Sequence, residues 1–215
     1  MIAEKLFNLV VEQMIRRYKT ERLERKSELM KKHRADDVLF VHELVQCPLK
    51  RVYAAKYPDI EDASIYNPRF VVGQMIEDAA KLYLSSEMDL EDRTFEKVVE
   101  VNGRKIVVAG SMDAYVSDGN AIEIKYLTGL YNTPHEHHVK QLAIYLNLAG
   151  LQKGELLQIS PEGIKSVEVG PISDEELLAA VDNALRLGEA PLWDWECRLC
   201  WYEFLCNRSL AREKK

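Results

Sequence analysis

Two runs rich in Val and Ile, residues 95–101 and 104–116, are separated only by Asn102-Gly103. Asn-Gly is the two-residue linker that best accepts the positive φ angles of a tight hairpin turn, so the runs are expected to pair as antiparallel strands. Asp118-Gly119 then turns the chain into a third strand over residues 120–127. A three-strand meander therefore sits in the middle of the chain, and the flanking segments must pack against it.

Those flanks read mostly as helices. Apolar positions at helical spacing from Leu6 to Met14, followed by a charged stretch to about His33, predict an N-terminal helix or helix pair. Residues 41–57 carry a second helical pattern, restarted at Cys47-Pro48 because Pro suits a first helical position. Residues 57–68 are expected to be a loop. From 70 to 85, Val71, Val72, Met75, Ile76, Ala79, Ala80, Leu82 and Tyr83 trace one stripe expected to be buried, with Glu77 one turn after Gly73 at its edge. Helical spacing returns over 136–149, a strand pair is expected at 155–160 and 164–169, and Ser173 should cap a last helix to about Leu187. Helices before, between and after strands predict an α/β domain with a central mixed sheet.

Within the third strand, residues two apart share a face, so Glu123 and Lys125 point together while Ile122 and Ile124 point the other way. Asp113, on the preceding strand, should come close to Glu123 across the Asp118-Gly119 turn. Two neighbouring carboxylates repel unless a cation neutralises them, and hard oxygen ligands suit Mg²⁺ or Mn²⁺. A metal there can activate water, and Lys125 can steady developing negative charge, which points to phosphodiester hydrolysis. The alternative is a cross-strand salt bridge on a solvated sheet face. An acid two residues before a Lys also occurs at Glu24/Lys26 and Glu213/Lys215, but only Glu123/Lys125 is expected on a strand. Gln141 and Tyr145 lie one helical turn apart and could hold phosphate or a base beside such a site. His135, His137 and His138 read as a solvated helix start.

The formal net charge of -6 excludes coating of nucleic acid by bulk electrostatics but not a basic groove. The basic stretch over residues 14–34 reads as the solvated face of a long helix. No apolar run approaches the roughly 20 residues of a membrane span, and the N-terminus lacks a signal-peptide pattern, so a soluble, intracellular protein without a membrane partner is expected. Cys197, Cys200 and Cys206 have C-x2-C-x5-C spacing, with Cys47 far upstream. Four such thiolates suit an iron-sulfur cluster or a structural Zn²⁺ that joins the two chain ends, with disulfides as the alternative. Trp193, Trp195 and Trp201 are placed to shield a cluster.

Together these residues resemble the CRISPR-associated RecB-like exonucleases, the fourth Cas family, across residues 41–206. Cys47-Pro48-Leu49-Lys50-Arg51 looks like the family's first cysteine motif, Gly110 to Asp113 and Glu123-Ile124-Lys125 like its nuclease motifs, and Gln141 to Tyr145 like its Q-x3-Y motif. The resemblance implies a PD-(D/E)XK, restriction-endonuclease-like core of mixed sheet and helices at 70–190. An N-terminal helical region (1–69) and a cluster-binding segment (191–215) would complete a single domain. It implies metal ligands Glu77, Asp113, Glu123 and the carbonyl of Ile124, with Glu77 standing where the family usually has His. Catalytic residues would be Asp113, Glu123, Lys125, Gln141 and Tyr145. Cys47, Cys197, Cys200 and Cys206 would hold a 4Fe-4S or, less commonly, 2Fe-2S cluster. Implied too are a cytoplasmic exonuclease acting on single-stranded DNA during spacer acquisition with CRISPR integrase proteins, and scope for a homo-oligomer. Two other readings remain: a non-catalytic DNA-binding or scaffolding subunit, motivated by Glu77, and a redox-sensing cluster.

Overall fold

A computed structural model describes residues 2–91, 93–116 and 119–212, without the side chains of residues 2–4, 6, 7 and 212. Leu6 as a packing residue, Asp118 of the second turn and Glu213/Lys215 therefore lie outside what is described.

One long helix, α1 (Ile2–Lys32), opens the chain, followed by β1 (Val38–Phe40), α2 (Val41–Leu44) and α3 (Pro48–Lys56). Next come α4 (Pro58–Ser64) and α5 (Pro68–Glu87). Residues 57–68, expected as a loop, thus contain a helix over Pro58–Ser64, with Pro58 in its first turn and Asp59 and Glu61 complementing the helix dipole. The strands β2 (Leu90–Glu91), β3 (Thr94–Val101), β4 (Arg104–Ser111), β5 (Ala114–Val116) and β6 (Ala121–Tyr126) precede α6 (Glu136–Ala149). The hairpin β7 (Gly154–Ser160) and β8 (Gly163–Val169) leads into α7 (Asp174–Arg186), and short 3-10 turns complete the chain. Ser173 caps α7 as expected: its hydroxyl accepts from the Glu176 amide at 3.1 Å while the Glu176 carboxylate accepts from the Ser173 amide at 2.8 Å.

The β3–β4 hairpin turns at Asn102 and Gly103, both at positive φ. The run expected to be one strand to Val116 breaks at Met112-Asp113, and the chain changes sheet there. β1, β4 and β3 form one mixed sheet, whereas β2, β5, β6, β7 and β8 form another, with β6 and β7 parallel. The meander is therefore not one continuous ladder, and Asp113 lies in the bend between sheets. The mixed α/β architecture flanked by helices stands.

The main core gathers Leu39 and Val41 from the N-terminal region, the inner faces of β3 and β4, and Leu142, Ile144 and Leu146 of α6 with Leu177 and Val181 of α7. β1 and α2 thus belong to this core. A second cluster of Met14, Ile15, Ile65 and Val71 packs α1 against α4 and α5. The basic face of α1 is largely solvated, with Arg17 paired to Asp78 and Lys19 to Asp62 at 3.1 Å. The α5 stripe departs from expectation. Val71 is buried, but Val72, Met75, Leu82 and Tyr83 are exposed, because the second sheet covers only part of the helix.

Gly110, near the end of β4, allows a close crossing. A Cβ there would lie 2.5 Å from Tyr145 Cε1 and 2.9 Å from Val41 Cγ2, both in the packed core. Overpacking of this kind costs about 1–3 kcal/mol, so Gly110→Ala should lower the urea midpoint without changing the denaturant slope.

Candidate active site and cysteine pocket

β6 pairs with β5 on one side and β7 on the other, and α5 and α6 both contact it. A strand enclosed in this way places even its polar residues in low dielectric. Glu123 is only 1% exposed. Its Oε1 accepts from Lys125 Nζ at 2.5 Å, while its Oε2 is buried without a partner. The alternative of a cross-strand salt bridge on a solvated face does not hold, because the pair lies within β6 and Glu123 is buried.

Asp113 Oδ2 accepts from the Ile124 amide at 2.7 Å and lies 3.9 Å from Lys125 Nζ. This bond fixes the carboxylate beside Glu123, although Asp113 is outside the regular strand. From α5, Glu77 accepts from Lys81 Nζ at 2.6 Å, and the same ammonium lies 3.8 Å from Asp113 Oδ1. Tyr145 is buried beside these carboxylates, and its hydroxyl accepts from Gln141 Nε2 at 3.2 Å. The structure therefore brings Glu77, Asp113, Glu123, Lys125, Gln141 and Tyr145 to one place, with the Ile124 amide among them.

Lys81 was not singled out from the sequence, although its spacing of four residues after Glu77 is that of a helical ion pair. Gln158, opposite Lys125 in the β6–β7 register, is also new: it is 0% exposed and its amide has no protein partner. Only its position on β7 reveals it.

The charges strain one another. Burial, then repulsion from Asp113, pushes the Glu123 carboxyl up to about 8. Burial and Asp113 likewise raise Glu77. Burial opposes the charge on Lys125, but the carboxylates of Glu123 and Asp113 outweigh it and hold the ammonium above the ordinary lysine range. At an effective dielectric of 20, two unit charges 4 Å apart interact by about 4 kcal/mol, so three clustered carboxylates need cations. Lys81 and Lys125 supply two. The unpartnered Glu123 Oε2 and the all-oxygen donor set fit a divalent ion, even though among the described residues no group of three or more His, Cys, Asp or Glu is arranged to hold one as it stands.

Apart from this site, Cys47, Cys197, Cys200 and Cys206 line one pocket, and none is in a disulfide. Burial pushes the Cys47 thiol up to about 11 and also raises Cys200, so thiolates here require a bound cation. Four thiols converging on one pocket fit a cysteine-ligated group. The buried carboxylate of Glu196 joins the chain ends: Oε1 accepts from the Cys47 amide at 2.7 Å and from Lys50 Nζ at 3.3 Å, and Oε2 from the Leu192 and Trp193 amides at 2.9 and 3.1 Å. The tryptophans do not line this pocket as expected. Tyr53 and Tyr202 do, while Trp193 and Trp195 pack toward His137 and Trp201 is 47% exposed. The histidines are correspondingly not a solvated helix start. His137 and His138 are partly buried, and burial lowers them to about 4 and about 2.

The α/β core, which brings carboxylates and a lysine to the junction of two sheets, has the PD-(D/E)XK-like fold. Over 183 residues the chain is 27% identical to the CRISPR-associated exonuclease Cas4 of Saccharolobus solfataricus, a match covering 82% of this chain and 90% of that protein. The resemblance read from the motifs is borne out by this relative. The crystal structure of SSO0001 has the same fold, with a TM-score of 0.82 at 23% identity over 98% of both chains. The alkaline exonuclease LHK-Exo of Laribacter hongkongensis matches with a TM-score of 0.47 at 14% identity, covering 70% of this chain and 84% of that one. No family model matches the chain.

Folded and metal-free, Glu123 protonates near pH 8 rather than at its ordinary 4.5. Between those values the folded state binds the extra proton, so stability is lost as pH rises through the window. Melting of the metal-free protein should show a falling Tm from about pH 5 to 8, flattened by Glu123→Gln. A Tm that climbs across the window would contradict this assignment.

Proposed function

We propose that this protein is a metal-dependent DNA exonuclease acting on single-stranded DNA during CRISPR spacer acquisition. The observation that carries the reading is the buried Glu123 carboxylate, one oxygen on Lys125 and the other unpartnered, with Asp113 fixed beside it. The name of the similar protein, a CRISPR-associated exonuclease, supports the nuclease reading, and the motif resemblance implies CRISPR integrase proteins as partners. The whole chain is read as one nuclease unit working in the cytoplasm, with a homo-oligomer open to it.

Glu77, Asp113, Glu123 and the carbonyl of Ile124 would hold Mn²⁺ or Mg²⁺. That ion supplies Lewis acidity toward a phosphate oxygen and toward water. The chain's own groups do the rest. Lys125 orients the attacking water and steadies charge on the phosphoryl oxygens. Lys81 holds the Glu77 carboxylate at 2.6 Å and lies 3.8 Å from Asp113, keeping both side chains in place. Burial and the Glu123 carboxylate keep Tyr145 protonated, so its hydroxyl is a hydrogen-bond donor, and Gln141 aims it. Together they hold the scissile phosphate while the enclosing helices exclude bulk water.

Lys125→Ala should lower Mn²⁺- or Mg²⁺-stimulated cleavage of end-labelled single-stranded DNA by at least about 10²-fold, with an unchanged circular dichroism spectrum. Cleavage that survives the change sinks the reading. DNA binding with no metal-stimulated turnover in the wild type would instead mark a scaffolding subunit.

Cys47, Cys197, Cys200 and Cys206 would hold an iron-sulfur cluster, 4Fe-4S before 2Fe-2S, with a structural role. Anaerobically purified protein should be brown, with visible absorption and bound iron that Cys197→Ser removes and that chelators strip with a loss of Tm. Zinc in place of iron, or colourless wild-type protein, would decide against the cluster.

A further inference from the structure

Between the two sites runs a row of aromatic rings that neither uses. Tyr131, 44% exposed, lies in the loop joining β6 to α6, and its ring is 4.8 Å from that of His135. His135 is 5.6 Å from His137, which is 4.8 Å from Trp195 in the cysteine segment. The row begins just beyond the strand that carries Glu123 and Lys125, and its middle rests on the first turn of the helix that carries Gln141 and Tyr145.

The loop is held, not loose. The Leu130 amide donates to Glu162 at 3.0 Å, and Lys165 Nζ donates to the Tyr131 and Asn132 carbonyls at 3.4 and 2.8 Å, so the β7–β8 hairpin fixes the presentation of Tyr131. At the far end the Trp193 indole donates to the Val45 carbonyl at 2.9 Å, anchoring the segment that carries Trp195. Burial and the neighbouring imidazole of His135 keep His137 neutral at ordinary pH. Tilted aromatic rings spaced 4.8 to 5.6 Å apart present flat surfaces suited to flat, uncharged rings.

We propose that Tyr131, His135, His137 and Trp195 form a track on which unpaired nucleobases stack while their strand enters the acidic site. Stacking on aromatic side chains is available to every base of a single strand, whereas in a duplex the base faces are already covered. The track therefore supplies the single-strand preference. It rests on the reading of the acidic site as DNA-cleaving.

Binding of fluorescein-labelled oligodeoxythymidine, measured by anisotropy in EDTA so that no cleavage occurs, tests the track. Parallel titrations use a duplex of equal length and a single strand of abasic sites. Tyr131→Ala and Trp195→Ala should each weaken binding of the base-bearing strand about five- to a hundred-fold and leave the abasic strand and the duplex unchanged. Tyr131→Phe should bind like the wild type. Equal losses on all three probes, or no loss on the base-bearing strand, overturn the track while leaving the nuclease reading intact. A wild type that binds none of the probes overturns the track and leaves the nuclease reading to the cleavage assay. Should Trp195→Ala fail to fold, Tyr131→Ala, at an exposed position, decides alone.

Discussion

A carboxylate at 1% exposure with a single ammonium for a partner is the constraint around which the rest of this molecule is arranged. Burying Glu123 is unfavourable unless cations answer it, and its own strand and a neighbouring helix supply them. β6 carries Lys125 two residues on and α5 brings Lys81, while the inter-sheet bend adds a further carboxylate, Asp113, held on the Ile124 amide. With all three acids ionised, the two lysines leave the cluster one positive charge short of balance, which, on top of burial, is why Glu123 keeps its proton up to about pH 8 when no metal is bound. That residual need is what suits the site to a metal and to the phosphate it would activate.

The break at Met112-Asp113 follows from the same requirement. A continuous strand from β4 through β5 would alternate residues between faces and hold Asp113 in one ladder. Because the chain leaves one sheet and enters the other there, the Asp113 side chain is free to accept from a backbone amide of β6. Gly110 permits the tight approach of Tyr145 just before the break.

The cysteine end is organised by a second buried carboxylate. Glu196 receives four donors from two chain segments nearly 150 residues apart in sequence, and in doing so sets Cys47 beside Cys197. Hydrogen bonds of Trp193 to Val45 and of Tyr202 to Glu61 at 2.9 Å each extend the seam. The chain ends are thus joined by protein groups as well as by whatever the thiols hold.

Local rules were enough to read much of this from the sequence. The Asn102-Gly103 hairpin, the Ser173 cap, the restart at Pro48 and the two-residue spacing of Glu123 and Lys125 depend on neighbours along the chain, where dihedral preference and periodicity decide. The motif order pointed to the right relative. Other features depended on what packs against what. The α5 stripe could not reveal that much of it faces solvent, nor the histidines that tryptophans from the far end of the chain would cover them. Lys81, Gln158 and Glu196 acquire their roles from burial next to distant charges, and an ordinary Lys, Gln or Glu looks the same in sequence wherever it sits. The sequence by itself determined the strands, their turns and the chemistry of the acidic pair. Only the tertiary structure decided which charges are buried together, because desolvation and Coulomb energy depend on distances that chain spacing does not set.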